Sequence, residues 1–250
     1  MKKLWMSVFT ILFILSSFCQ AAPPTVQEII QKMDALMRGK TSYWEMTIMV
    51  QTARWARTIK LLSWAHGTEK SFIKITYPIK DKGVTFLKIN NDMWQYIPKI
   101  EKIIKFPPSM MLQSWMGTDF SNDDLVKESS TVHDYTHVLL SENEKSYEIE
   151  SLPKEDAAVV WGKIVSRVDK THYYPIKQEY YDEDNALIRR LTYTKVIKTS
   201  GRYLPTVWTM EPMDEDKVGN KTILKLDKIE FDIPLDDSLF SLRSLRTLSK

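Results

Sequence analysis

The chain has 250 residues, with 35 Lys and Arg against 32 Asp and Glu, and a formal net charge of +3. Two of the basic residues, Lys2 and Lys3, lie in the N-terminal segment, so the rest of the chain is close to neutral. This balance gives no sign of a nucleic-acid-binding protein. The length is sufficient to bury a hydrophobic core, and the single cysteine, Cys19, excludes an internal disulfide.

The N-terminal segment has the features of an export signal. Lys2 and Lys3 precede an apolar run, residues 4–18, that is short for a membrane span. Small Ala21 predicts cleavage after it, which leaves residues 22–250 as a single exported domain, expected in the periplasm. Lipid attachment at Cys19 is less consistent with the sequence, because bulky Phe18 stands where a small residue is expected.

A helix is predicted over residues 25–38, directly after the export signal. Thr25 and Glu28 have the spacing of a capping box at a helix N-terminus. Apolar residues recur along this segment at helical spacing, and Gly39 is suited to its C-terminal end. The mature chain therefore begins with one amphipathic helix.

Strands follow in close succession, separated by short turn signals rich in Gly, Asn and Asp. The predicted strands are residues 43–50, 58–65, 70–77, 84–89, 93–97, 146–152, 163–169, 176–181, 187–196, 203–212 and 221–231. A short helix is predicted over residues 239–248. Short links between strands favour antiparallel pairing. The fold class is therefore mainly β with a few helices: one curved antiparallel sheet with helices on one face.

Residues 106–125 interrupt the alternating pattern with the sequence FPPSMMLQSWMGTDFSNDDL. Pro107 and Pro108 open a short predicted helix, Ser109 is placed to cap it and Gly117 ends it. A second turn is predicted from Ser121. Methionine side chains adapt their shape to a partner, so a Met-rich segment with a tryptophan suits a flexible lid over an apolar cavity. Ordinary core packing is the alternative.

The strand at residues 43–50 is the predicted wall opposite the lid. One face of it is uniformly apolar, whereas the other carries Glu45 and Thr47. We expect the lid and this wall to contact an apolar ligand. The predicted contacts are Trp44, Met46, Ile48, Met110, Met111, Trp115 and Met116.

The sequence offers no recognisable catalytic or metal-binding constellation. His133 and His137 have a spacing that binds metals on a helix, but the residues around them favour a strand and no third ligand is placed nearby. There is no glycine-rich phosphate loop and no nucleophile elbow. The acidic pairs at residues 123–124 and 236–237 sit where helix capping explains them. We therefore predict no catalytic residue, no metal and no cofactor.

Several short motifs resemble the outer membrane lipoprotein-sorting proteins, which have a LolA-like fold. The motifs are Tyr77-Pro78, Gly83, the WQYIP sequence at residues 94–98, the MGTDFSNDDL sequence at residues 116–125, Tyr173-Tyr174-Pro175 and DSLF at residues 237–240. The resemblance covers nearly the whole mature chain, and the block at residues 116–125 is its most specific part. Within that block we expect structural roles for Gly117, Asp119, Phe120, Ser121 and Asp124.

The resemblance implies a half-barrel of antiparallel strands whose concave face is covered by helices. It implies a periplasmic carrier or chaperone that binds the acyl chains of a lipidated protein, or another lipid, rather than a catalyst. Its implied partners are an inner-membrane transporter of the resistance–nodulation–division type and an outer-membrane acceptor. Two alternatives stay open: a lipid-sensing or transporter-accessory module on the same fold, and, less consistent with the residues, a hydrolase of envelope lipids.

Overall fold

The computed structural model describes residues 22–122, 124, 130–157 and 159–250. The predicted export signal, with its cleavage site after Ala21, lies outside the described residues. No helix in the described part of the chain has both the length and the apolarity needed to cross a membrane.

Thirteen strands form one curved, unclosed antiparallel sheet in the described residues. The strands are β1 (Thr41–Gln51), β2 (Ala56–His66), β3 (Lys70–Tyr77), β4 (Thr85–Ile89), β5 (Asp92–Ile97), β6 (Lys102–Lys105), β7 (Tyr135–Glu142), β8 (Ser146–Pro153), β9 (Lys163–Asp169), β10 (Pro175–Tyr181), β11 (Leu187–Thr199), β12 (Arg202–Pro212) and β13 (Lys221–Phe231). Their order is β6-β5-β4-β3-β2-β1-β13-β12-β11-β10-β9-β8-β7. The last strand, β13, therefore pairs with the first, β1. The two edges of the sheet are β6 and β7, which are consecutive in the chain.

The N-terminal helix, α1 (Val26–Met37), forms as its sequence predicts. The hydroxyl of Thr25 accepts a hydrogen bond from the backbone N–H of Glu28, whose carboxylate accepts one from the N–H of Thr25. This reciprocal cap satisfies two backbone donors at the helix start. The apolar stripe of α1 is buried against strands β8 and β9 in one cluster, formed by Ile29, Ile30, Met33, Tyr147, Ile149 and Val168.

The two faces of the sheet have different partners because side chains alternate along each strand. The face that carries Trp44 on β1 also carries its cross-strand neighbour Ser63 on β2, and we call it the cavity face. The main core cluster lies on this face and includes Ile48, Ile59, Leu61 and Trp115. The opposite face carries Phe72 and its neighbour Leu87.

The C-terminal segment packs on the opposite face, away from the cavity face. A 3₁₀ turn (Asp237–Leu239) precedes the short helix α3 (Leu242–Thr247), whose Leu245 packs with Phe72 and Leu87. The hydroxyl of Thr85 donates a 2.8 Å hydrogen bond to the carbonyl oxygen of Leu245. The curved antiparallel sheet is confirmed, but this helix is shorter than predicted and does not share the face that α1 covers.

The central segment differs most from the prediction. Strands β6 and β7 form the two edges of the sheet. Strand β6 was not predicted, whereas β7 contains the residues around His137 that favour a strand. A short helix, α2 (Ser130–Asp134), precedes β7. The predicted Met-rich helix is instead two 3₁₀ turns, Pro108–Met110 and Trp115–Gly117. Met116 and Gly117 both adopt positive φ, which ends helical geometry there.

Candidate functional site

A cavity of about 320 Å³ lies against the cavity face of the sheet. This volume is at the lower end of the roughly 300–1,000 Å³ typical of small-molecule sites. Residues of α1, of α2 and of the loop before β9 also line it, together with Trp115 and Phe120 from residues 106–122, which we call the lid segment. The cavity is therefore bounded by the sheet on one side and by these segments on the other.

One wall of the cavity is apolar and is formed by strands β1, β2, β12 and β13. Trp44, Met46 and Ile48 follow one another along the cavity face of β1, as their alternation predicts. Met46 pairs with Leu61 on β2, and Ile48 pairs with Leu224 on β13. The rings of Trp44 and Trp208 meet edge to face at 6.0 Å. An apolar surface of this kind suits a hydrocarbon chain.

Four of the seven predicted ligand contacts line the cavity: Trp44, Met46, Ile48 and Trp115. Trp115 is 2% exposed, and its ring lies 5.5 Å from that of Phe86. The other three, Met110, Met111 and Met116, are half-buried against the core cluster that contains Trp115, and they are not among the described residues that line the cavity. Contact of all seven residues with a ligand stays a prediction.

Arg57 and Thr222 of the sheet make polar contacts with the lid segment, which also packs on the core cluster through Trp115. Nη1 of Arg57 on β2 donates a 3.0 Å hydrogen bond to the carbonyl oxygen of Met116, while Nη2 forms a 2.7 Å ion pair with Asp81. The buried hydroxyl of Thr222 on β13 donates to a carboxylate oxygen of Asp119 at 2.6 Å and accepts from the Asp119 backbone N–H at 3.0 Å. Asp119 thus binds a side chain of the sheet.

The other motif residues of the lid segment have local roles. The N–H and the hydroxyl of Ser121 both donate to Asp124 Oδ2, and the Ser121 hydroxyl accepts from the Asp124 N–H at 3.1 Å. This is the reciprocal cap expected at a helix start, and Asn122 and Asp124 are helical. Gly117 has a φ of +73°. Phe120 lines the cavity.

The opposite end of the cavity is polar, which the sequence analysis did not predict. Arg189 on β11 forms two hydrogen bonds with the carboxylate of Asp124, at 2.6 and 2.7 Å. The guanidinium carbon of Arg189 lies 4.3 Å from the ring centre of Trp161 and 4.5 Å from that of Tyr180. All four residues line the cavity. Its polar end is therefore built around one enclosed ion pair.

The environment of this ion pair favours its charged form. Burial raises the pKa of Asp124, but the hydrogen bonds and charge of Arg189 and the bonds from Ser121 outweigh burial and hold the pKa below its usual value. Burial lowers the pKa of Arg189, but Asp124 outweighs it, and the net shift is upward. Burial of the Tyr180 phenol raises its pKa to about 12. At neutral pH the end of the cavity thus carries one cation, one anion and a neutral phenol.

A second polar group adjoins the ion pair. The side-chain oxygen of Gln178 accepts hydrogen bonds from the hydroxyls of Tyr193, at 2.5 Å, and Tyr180, at 3.2 Å. Its amide nitrogen donates to the buried hydroxyl of Ser166 at 3.2 Å. Alternation along β10 and β11 places these residues on one face, but nothing in the sequence indicates that this face is the enclosed one.

A histidine and a serine lie in contact near the cavity without forming an accessible reaction centre. Nδ1 of His137 lies 2.8 Å from the hydroxyl of Ser151, which is fully buried. Burial lowers the pKa of His137. Neither residue is among the described residues that line the cavity. No group of three or more His, Cys, Asp or Glu side chains with a metal-binding arrangement occurs in the described part of the chain.

The chain matches the model of a family described as "uncharacterized protein" over residues 67–247. It belongs to this family. A search of curated proteins finds no match.

Solved structures with a similar fold include three that align with most of this chain. A DUF1329 family protein from Desulfovibrio piger has a TM-score of 0.80 and 22% identity, covering 88% of this chain and 97% of its own. An outer membrane lipoprotein-sorting protein domain from Vibrio parahaemolyticus has a TM-score of 0.75 and 22% identity, with the same coverage. A LolA superfamily protein from Nitrosomonas europaea has a TM-score of 0.74 and 21% identity, covering 88% and 99%. The resemblance inferred from the sequence motifs is confirmed at the level of the fold.

Proposed function

We propose that this chain is a periplasmic carrier that encloses an acyl chain of a lipidated protein, or of another lipid, in the cavity between the sheet and the lid segment. The observation that carries the proposal is the apolar wall of Trp44, Met46 and Ile48, which lines one cavity together with Trp115. Each methylene removed from water into such a space contributes about 0.8 kcal/mol. A chain of ordinary length would therefore bind without any charged contact.

The lid segment supports a role in carriage, because a carrier must also release its ligand. The segment contains short 3₁₀ turns, and its side-chain hydrogen bonds with β2 and β13 can open without disrupting a strand. The fold also supports a role in carriage, since one similar structure is described as a lipoprotein-sorting protein domain and another as a LolA superfamily protein. We expect an inner-membrane transporter of the resistance–nodulation–division type as donor and an outer-membrane acceptor.

Native mass spectrometry of the exported, purified chain tests this function. We expect an adduct whose mass corresponds to an acyl-bearing lipid, and loss of this adduct on denaturation. The chain stripped of lipid should regain an adduct when incubated with micelles of mixed envelope lipids. A stripped chain that is folded yet takes up no lipid, or one that hydrolyses an ester in the mixture, would overturn the proposal.

A further inference from the structure

Three neighbouring hairpins turn at the same end of the sheet, and each presents an exposed apolar side chain at its tip. The β1–β2, β3–β4 and β5–β6 connections share this end because the strands between them pair antiparallel. The tip residues Trp55, Ile79 and Ile100 are 48%, 85% and 53% exposed. Turns are normally built from small and polar residues, so apolar residues at three neighbouring tips indicate a contact with another apolar phase.

The three tips form one surface. We call it the hairpin-tip surface, and it consists of residues 52–55, 78–83 and 98–101. Arg57, directly after the first tip, forms a 2.7 Å ion pair with Asp81 in the second. A β-carbon built on Gly83 in the second tip would lie 3.4 Å from Cγ of Pro98 in the third. The exposed apolar side chains therefore belong to adjacent loops.

Local hydrogen bonds give each tip a defined conformation. The Thr52 hydroxyl accepts a 3.1 Å hydrogen bond from the backbone N–H of Trp55. The N–H of Asp81 donates to the carbonyl oxygen of Pro78 at 2.9 Å. The third tip contains the 3₁₀ turn Pro98–Ile100. Because the loops are ordered before binding, they lose little conformational entropy when they make a contact.

Exposed cations accompany the apolar side chains of the hairpin-tip surface. They are Arg54, Lys80, Lys82 and Lys99. The surface contains two acids, Glu101 and Asp81, and the second is already paired with Arg57. The hairpin-tip surface therefore carries a net positive charge and complements an anionic partner.

The β12–β13 connection marks the limit of this positive surface. It adjoins the first tip, where the backbone N–H of Ala53 donates to the side-chain oxygen of Asn220 at 3.3 Å. Val218 in this connection is also exposed, but the three residues at positions 214–216 are all acidic and Lys217 supplies one cation. An anionic partner would be repelled there, so we place this connection outside the hairpin-tip surface.

A lipid bilayer matches the hairpin-tip surface better than a protein partner does. Protein interfaces are centred on a contiguous, closely packed apolar core, whereas these three apolar side chains stand on separate tips. The interface of a bilayer accepts separate apolar side chains and is especially favourable for tryptophan. Anionic headgroups attract Lys and Arg side chains that lie near the membrane surface.

We propose that the hairpin-tip surface docks the chain on an anionic phospholipid bilayer, with Trp55, Ile79 and Ile100 entering the headgroup region and the cations contacting phosphate groups. None of these tip residues is among the described residues that line the cavity, so docking is independent of what the cavity binds. Docking would also bring the lid segment close to the membrane, because Arg57 contacts both Asp81 and the carbonyl oxygen of Met116.

The test is cosedimentation of the purified exported chain with vesicles of dioleoylphosphatidylcholine, alone or mixed with dioleoylphosphatidylglycerol. In about 0.1 M salt we expect a partition coefficient at least tenfold larger for the anionic vesicles. Most of this difference should disappear in about 1 M salt, where the Debye length falls from about 10 Å to about 3 Å. Equal partitioning into both vesicles would overturn the proposal. A folded chain that stays in solution with both would also overturn it and would leave the surface to a protein partner.

Two charge-reversal variants locate the docking surface. Lys80→Glu combined with Lys82→Glu should lower the partition coefficient for anionic vesicles at least tenfold. Lys195→Glu combined with Lys198→Glu is the matched control, because both residues are exposed on β11 near the opposite end of the sheet. This control changes the net charge by the same amount and should lower the partition coefficient less than threefold. Equal losses in the two variants would contradict docking through the hairpin tips.

A second pair of variants tests the apolar contact. Ile79→Ser should lower the partition coefficient at least threefold without loss of stability, because the Ile79 side chain is exposed. Ile197→Ser on β11 replaces an apolar residue that is 46% exposed, and it should leave the partition coefficient unchanged. Circular dichroism verifies that each variant is folded. A loss in Ile197→Ser alone would place the membrane contact at the opposite end of the sheet.

The same measurements separate docking from the proposed function. A chain that takes up lipid from micelles but does not sediment with anionic vesicles would refute docking and leave lipid carriage standing. A chain that sediments through its hairpin tips but takes up no lipid would support docking and refute carriage.

Discussion

Arg57 donates a hydrogen bond of 3.0 Å from its guanidinium to the carbonyl oxygen of Met116, the residue at which the lid segment leaves helical geometry. Met116 has a φ of +53°, so its carbonyl lies outside any helical hydrogen-bond pattern. The same guanidinium is paired with Asp81. One side chain of β2 therefore ties the lid segment to the turn after β3.

Replacing Arg57 with methionine should loosen the lid segment. The change removes a charge-assisted hydrogen bond, worth about 1.5–3 kcal/mol, and leaves the Met116 carbonyl without that donor. We expect a lower free energy of unfolding and faster proteolysis within residues 107–117. Arg54→Met is the control, because Arg54 is exposed and precedes the same strand. Similar proteolysis rates for the two variants would show that Arg57 does not hold the lid segment closed.

Asp119 and Thr222 should behave as one structural unit. Thr222→Val removes both hydrogen bonds between Asp119 and β13, whereas Asp119→Ala removes the one that its carboxylate accepts. Each change should cost about 1–3 kcal/mol because Thr222 is fully buried. The double variant should cost much less than the sum of the two. Chemical denaturation of the four proteins measures this coupling. Additive losses of unfolding free energy would mean that the two residues act independently. A stable Asp119→Ala variant that has lost its lipid preference would indicate that Asp119 has a chemical role in addition to its structural one.

The Asp124–Arg189 pair should be costly to break on one side only. Asp124→Asn leaves the Arg189 charge enclosed without its counter-ion, for which losses of about 3–5 kcal/mol are typical. Asp124→Leu combined with Arg189→Met removes both charges and should cost less than the single Arg189→Met change, because no unpaired charge remains. The free energies of unfolding of the single and double variants, measured by chemical denaturation, test this expectation. A double variant less stable than both single variants would contradict this account.

The same pair predicts a pH dependence. The folded-state pKa of Asp124 lies below its ordinary value, so the unfolded chain binds more protons as the solution becomes acidic. The stability contributed by this carboxylate is therefore complete above about pH 4 and is lost as the pH falls through the folded-state pKa. The difference in unfolding free energy between the natural chain and Asp124→Asn should stay constant from neutral pH to about pH 5 and shrink below pH 4. A constant difference down to pH 2 would contradict the assignment.

Local sequence signals predicted most of the fold. The capping box of Thr25 and Glu28 predicted where α1 begins, and the alternation of apolar and polar residues predicted the interior strands. Both signals depend only on residues that are close in the sequence. Edge strand β6 was not predicted, and β7 was indicated only by the residues around His137, because one side of each has no neighbouring strand and needs no apolar alternation. The lid helix failed because paired prolines remove backbone donors and residue 116 takes a positive φ.

The apolar half of the cavity lining could be predicted from the sequence, and the polar half could not. Trp44, Met46 and Ile48 share a face through their spacing alone. Asp124 and Arg189 are 65 residues apart, and their contact depends on the register of β11 and on the position of the lid segment. Short-range patterns explained Asp124 as a helix cap, which it also is, so they gave no reason to look for a distant partner.

Filling the cavity should abolish lipid binding without unfolding the chain. Ser63 lies on the cavity face of β2 opposite Trp44, and its side chain borders the enclosed space. Ser63→Leu adds apolar volume where there is room and removes a hydroxyl, so we expect unchanged or slightly higher stability. The enclosed volume is small, so binding of the uncharged apolar fluorophore 1-N-phenylnaphthylamine and of acyl lipids should weaken at least tenfold.

Thr58→Leu is the matched control for this variant, because residue 58 lies on the opposite face of the same strand. It should leave binding unchanged. Trp115 gives an independent signal, since it lines the cavity from the lid segment. Lipid should change the tryptophan fluorescence of the natural chain, and this change should shrink both in Trp115→Phe and in Ser63→Leu. Full binding by a stable Ser63→Leu variant would place the lipid elsewhere on the molecule, because no acyl chain could then share the filled space beside Trp44.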